Sequence, residues 1–155
     1  MDIHKLDGSG QKIWGWGMIA GLTMALAIAA PSIAQNDQNK SLSRGFIDDP
    51  ATMKGTASGG ASLASIAGIT DNCRGFANTA PNHTVSLTVN FPAVDLLVRP
   101  DNINDDPTLL IKGANGVILC ADDEGGARRP QINSRLNRGS YQIWVGSKAP
   151  NQTFN

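Results

Sequence analysis

Net charge is the first thing missing: thirteen basic residues balance thirteen acidic ones. The balance persists beyond residue 34, with eleven of each. A neutral chain carries no electrostatic footprint for nucleic acid or for an anionic membrane surface. Histidine is nearly missing too. His83 is the lone histidine after residue 34, so a Ser-His-Asp triad would have to use it, and no Gly-x-Ser-x-Gly elbow is present. The aspartate pairs sit side by side on turns and mark no cleft of the glycosidase kind. Two cysteines and one histidine are too few for a structural zinc site. No twelve-residue loop ends in glutamate, which excludes an EF-hand. There are no internal repeats, and no amphipathic helix appears after residue 34.

The one long apolar run lies at the start. Ile13 to Ala30 is uncharged, Lys5 and Lys12 precede it, and Pro31-Ser32-Ile33-Ala34 follows. Small residues at Ser32 and Ala34 suit a signal peptidase, so residues 1–34 are predicted to be a signal peptide, an N-terminal helix cleaved after Ala34. The rival reading is an uncleaved membrane anchor, since the run is near the shortest that spans a bilayer. Residues 35–44 are polar and read as a flexible lead. Residues 45–155 remain for one domain, which is enough to bury a core. The implied location is periplasmic or secreted.

Cys73 and Cys120 both fall in that domain. Export makes a disulfide the natural reading, and closing the chain between them is worth about 4 kcal/mol. Two buried thiols are the alternative.

Within the domain the apolar pattern has period two. Thr84 to Phe91 alternates, with Val85, Leu87, Val89 and Phe91 on one face. Val94–Arg99, Thr108–Lys112, Val117–Cys120, Gln131–Leu136 and Ser140–Val145 are further candidate strands. Asn115-Gly116 between two of them suits the positive φ of a hairpin turn. The run Ala61 to Ala67 fits a strand of small residues or a short helix. Strands at about ten-residue spacing with polar turns predict an all-β sandwich or barrel.

Cys73-Arg74-Gly75-Phe76, Ala80-Pro81-Asn82-His83-Thr84, Asp106-Pro107-Thr108-Leu109-Leu110-Ile111, Cys120-Ala121-Asp122-Asp123 and Gly139-Ser140-Tyr141-Gln142-Ile143-Trp144-Val145-Gly146 occur in that order. This series resembles the bacterial pre-peptidase C-terminal domain, in the stand-alone form of exported bacterial proteins. Gly45-Phe46-Ile47-Asp48-Asp49-Pro50 and Gly59-Gly60 extend the likeness, which covers about Gly45 to Gly146. It implies a jelly-roll-like antiparallel β-sandwich. Relatives appended to secreted proteases are accessory modules, and some bind calcium or extracellular polymers. Proteolysis is not implied, because the peptidase is a separate unit. The family continues past its Tyr-x-Ile-Trp-Val-Gly strand into another edge strand. Here Thr153-Phe154-Asn155 stands where that strand would begin, so either the last strand is supplied differently or an open edge remains as a template for a partner strand.

Two acidic loops could meet at one end of such a sandwich. One carries Asp101, Asp105 and Asp106, and the other Asp122, Asp123 and Glu124. Calcium takes six to eight oxygens, and with the resemblance it is the candidate cofactor, with Asp106, Asp122 and Asp123 as first-choice ligands. The plainer alternative is solvated aspartates capping their own turns. Arg128 and Arg129, with Arg135 and Arg138 nearby, form the one basic cluster, a contact for an anionic polymer or a solvated face. Trp144 has opposite parity to Tyr141, Ile143 and Val145, so it is either an exposed partner contact or core. The expected function is a non-enzymatic exported binding or structural module of the cell envelope, with an envelope protein or extracellular polymer as partner. A membrane-anchored accessory subunit of an envelope complex and a small hydrolase are the alternatives.

Overall fold

The computed structural model describes residues 38–69, 73–124, 126 and 128–155. The signal peptide or anchor expected over residues 1–34 lies outside them, as does the start of the lead. Among the described residues, no helix is long and apolar enough to cross a membrane.

Among the described residues, nine strands run β1 Asn39–Leu42, β2 Ala61–Ser62, β3 Phe76–Ala77, β4 His83–Leu87, β5 Phe91–Leu97, β6 Pro107–Gly113, β7 Ile118–Ala121, β8 Gln131–Leu136 and β9 Gly139–Ser147. A short α-helix, α1, spans Leu63–Ala67. Strands dominate the fold, as the period-two pattern predicts.

β9 is the spine. It pairs antiparallel with β6 along one edge, and with β4 and then β3 along the other. β7 extends the sheet beyond β6, and β2 beyond β3. β1 adds to β4 in parallel. A second, two-stranded sheet is formed by β5 and β8.

Burial follows position in the sheet. β4 near the edge alternates, with His83, Val85 and Leu87 buried and Ser86 exposed. β6 is covered on both faces, so Pro107 to Ile111 are all buried. One face of the main sheet presents Val85, Leu87, Leu109, Ile111, Tyr141 and Ile143 to Ile132 and Leu136 of β8, with Val94 and Leu96 of β5 packed against them. The opposite face presents Leu110 and Trp144 to Leu63 and Ala67 of α1, to Ala77 and to Cys73. Each fully buried leucine or isoleucine contributes about 1.5–3 kcal/mol.

Several expectations need correction. The lead is not without structure. Asn39–Leu42 forms β1, because the free edge of β4 satisfies its backbone whatever its side chains are. The parallel β1–β4 pair also makes the main sheet mixed and not purely antiparallel. The strand predicted over Thr84 to Phe91 ends at Leu87. There the Thr88 N–H donates to the Leu42 carbonyl at 2.9 Å and the chain bends into β5. β5 takes in Pro92, and its register shifts between Phe91 and Val94, where proline has no N–H to give. Ala61 to Ala67 resolves into two strand residues and one helical turn, closed by Gly68 in the left-handed region.

Other expectations agree with the structure. β8 has the predicted bounds. Asn115 and Gly116 turn the β6–β7 hairpin with φ of 61° and 74°. Cys73 and Cys120 form a disulfide, with Cα atoms 5.2 Å apart. At Thr153-Phe154-Asn155, where an open edge was one expectation, Phe154 is instead buried and exchanges backbone hydrogen bonds with Ala57 at 2.8 and 3.2 Å.

Candidate metal site

Strand register decides which side chains meet at the end of the main sheet. Thr108 pairs with Gly146, and Leu110 with both Trp144 and Cys120. The β6–β9 ladder runs one rung past the strands, since the Lys148 N–H donates to the Asp106 carbonyl at 3.0 Å. Side chains alternate along strands. Asp106 just before β6, Thr108 on it, Asp122 after β7 and Lys148 after β9 therefore share the face that carries Leu110 and the disulfide.

On that face Asp106, Asp122 and Asp123 converge, with one carboxylate oxygen from each lying within 4.8 Å of the others. Lys148 Nζ stands 3.7 Å from Asp106 Oδ2, 3.6 Å from Asp122 Oδ2 and 3.4 Å from Asp123 Oδ2. Its side chain is 49% exposed, against 23% for Asp106 and 18% for Asp122. Burial first, then the charges of Asp123 and Asp106, push the Asp122 carboxyl above its ordinary value, and Lys148 pulls the other way. The same carboxylates, Asp122 foremost, raise the Lys148 ammonium.

The ammonium addresses only the Oδ2 atoms. Among the described residues, three buried side-chain oxygens have no hydrogen-bond partner: Asp106 Oδ1, Asp122 Oδ1 and Thr108 Oγ1. Asp106 Oδ1 and Asp122 Oδ1 belong to this corner. Thr108 is fully buried, and its hydroxyl is roofed by the backbone of Gly75, where a Cβ would overlap it. Gly75 has φ of 102°, a conformation open to glycine. Orphaned buried oxygens are costly unless water or an ion meets them.

Three converging carboxylates form a hard-oxygen donor set. Such a set fits calcium or magnesium and not a thiolate-seeking metal. Asp106, Asp122 and Asp123 are the residues that would hold it. The three aspartates singled out from the sequence are the three brought together. Thr108 and Lys148 were not singled out. Their only signal is register, which a linear pattern does not carry.

The rest of the acidic loops stays apart. The Glu124 carboxylate accepts from the Asp122 N–H at 2.6 Å, and the Asp105 N–H donates to the Asn102 carbonyl. Trp144 is 4% exposed in the core and donates from Nε1 to the Thr79 carbonyl at 3.2 Å. Of the two readings of Trp144, burial leaves the core one and removes the partner contact. Arg128 is exposed and donates to the Asn104 carbonyl at 3.3 Å, while Arg129 is half-buried. Arg135 and Arg138 are exposed on and after β8. His83 is buried and lines an open polar cavity of about 430 Å³ with Lys54, Thr56, Asn78 and Asn82. Among the described residues, no carboxylate, serine or cysteine lines it. The Asn82 Oδ1 already accepts from the Val145 N–H at 2.9 Å.

No family model matches the chain, and no match was found among curated proteins or solved structures.

Proposed function

We propose that this chain is a non-enzymatic, exported binding or structural module of the bacterial cell envelope, held in shape by a disulfide and by a calcium ion at Asp106, Asp122 and Asp123. The finer fold reading belongs to the same proposal: a jelly-roll-like sandwich akin to the stand-alone pre-peptidase C-terminal domain. Its partner is an envelope protein or an extracellular polymer. The observation that supports the cation is the convergence of the Asp106, Asp122 and Asp123 carboxylates, with Asp106 Oδ1 and Asp122 Oδ1 buried without a partner. The disulfide and the apolar run at 13–30 support an oxidising location.

Extracellular modules hold calcium at about 0.1–1 mM. Raising calcium through that range should raise the melting temperature of the full chain, by mass action on the folded state. Magnesium should do so less, because it dehydrates reluctantly. The double variant Asp122→Asn/Asp123→Asn should show no calcium response. A wild-type melting temperature indifferent to calcium would remove the cation from the proposal. Export is tested separately by the intact mass of protein purified from its host. A chain beginning at Gln35 supports an exported soluble module, and one retaining residues 1–34 supports an anchored subunit.

A further inference from the structure

We propose that the outer edge of β7 is the contact through which a second copy of this chain docks, the two β7 strands pairing antiparallel about a two-fold axis at Leu119. The proposal needs neither the cation nor the export reading above. Among the described residues, β1, β2 and β7 bound the main sheet. Two of these edges are guarded: β1 carries Lys40 between polar Asn39 and Ser41, and β2 is only Ala61–Ser62. Charge and shortness are the usual protections of an open edge. β7 has no charge. The stretch Val117 to Ala121 reads Val-Ile-Leu-Cys-Ala, without charge or proline, and all of it but Ala121 is half-buried.

The hairpin register shows which backbone groups face outward. The Gly113 N–H donates to the Val117 carbonyl at 2.9 Å, and bonded pairs alternate along an antiparallel ladder. Ile111–Leu119 and Leu109–Ala121 are therefore the next bonded pairs. Ile118 and Cys120 turn their N–H and carbonyl groups away from β6, and among the described residues nothing meets those groups. A second β7 centred on Leu119 sets Ile118 of each copy against Cys120 of the other, and each such pair exchanges two hydrogen bonds. Centring on Ile118 or Cys120 instead would carry one outward residue into the turn or the acidic loop. Charge favours the same register. Asp122 and Asp123 of one copy come beside Gly116 and Asn115 of the other, so acidic groups meet an uncharged turn and not each other. The two Leu119 side chains meet across the axis, where opposed Cα atoms stand about 4.5 Å apart, and each covers the other's exposed half. The Cys73–Cys120 bond and the Asn115-Gly116 turn hold β7 in place beforehand, so little order is lost on pairing. The contact uses the same patch on both copies and closes at a dimer.

The test is sedimentation of the full chain from about 1 μM to about 1 mM, the range in which weak and moderate association separate, with amide exchange read residue by residue. The mass should rise from one chain to two. Over the same range the Ile118 and Cys120 amides should slow about tenfold once roughly nine-tenths of the chains are paired. Ile118→Pro removes an outward donor and leaves the β6–β7 bonds intact, so it should keep the mass of one chain at every concentration. Leu119→Lys sets two ammonium groups opposite each other across the axis and should do the same. The wild-type exchange decides by itself if either variant is unfolded. A wild-type mass of one chain throughout would overturn the proposal. A dimer that persists in a folded Ile118→Pro or Leu119→Lys, or one in which the Ile118 and Cys120 amides exchange freely, would also overturn it, by placing the contact elsewhere on the chain.

Discussion

Lys148 faces Asp106 across the last rung of the β6–β9 ladder, joined to it twice. Its N–H donates to the Asp106 carbonyl at 3.0 Å, and its ammonium stands 3.7 Å from the Asp106 carboxylate. The backbone bond fixes where the lysine starts, and the long ion-pair distance leaves its far end mobile in principle. An exposed pair of this kind adds little stability by itself. Its interest lies in what it shares: the same ammonium reaches Asp122 and Asp123.

Asp122→Asn should stabilise the cation-free protein at neutral pH. Burial, with Asp123 and Asp106, raises the Asp122 carboxyl above its ordinary 3.8. The folded state thus holds the proton more tightly than the unfolded chain. That preference stabilises the fold fully below the unfolded value and is lost as pH rises through the raised folded value. In chelator, the melting temperature of Asp122→Asn should exceed that of wild type at pH 7, with the gap closing toward pH 3.8. A gap that is absent at pH 7 would mean the carboxylate is already satisfied. With calcium the order should reverse.

Thr108→Val separates a ligand from a packing group. The hydroxyl is buried without a partner, so replacing it by a methyl group should stabilise the cation-free protein by about 1 kcal/mol. The same change should weaken calcium binding if the hydroxyl is a ligand. Denaturant unfolding in chelator and calorimetric titration read the two effects independently. Destabilisation in chelator would show that the hydroxyl is already bonded.

Gly75→Ala should destabilise the domain by about 2 kcal/mol or more. Its φ of 102° disfavours any side chain, and the new methyl would drive into the Thr108 side chain. Urea midpoints of wild type and variant decide it. Equal midpoints would show that the Cys73–Phe76 segment can move away from the sheet.

Reduction of Cys73–Cys120 should lower stability by about 4 kcal/mol on the chain-entropy account. It should also weaken calcium binding, because Asp122 lies two residues beyond Cys120 on the same face. Cys73→Ala/Cys120→Ala gives the same comparison without reductant. A variant of equal stability would place the stabilising role of the bond in doubt.

What the sequence determined by itself was local. The alternation in Thr84 to Leu87 and Gln131 to Leu136 specifies strands, because one face must be apolar whatever covers it. Asn115-Gly116 specifies a turn, because those residues accept positive φ. Two cysteines beyond an export-like segment specify a disulfide, and acidic loops flanking a hairpin specify that Asp106, Asp122 and Asp123 are candidates. The tertiary structure decided everything that depends on which strands are neighbours. β1 is a strand only because β4 offers an unpaired edge. Trp144 is core only because α1 covers the second face of the sheet. Lys148 joins the acidic corner only because β9 lies beside β6 in one particular register. Backbone hydrogen bonding is nearly blind to side-chain identity. A strand's own residues therefore show that it will pair, and the packing of the whole chain settles with which partner.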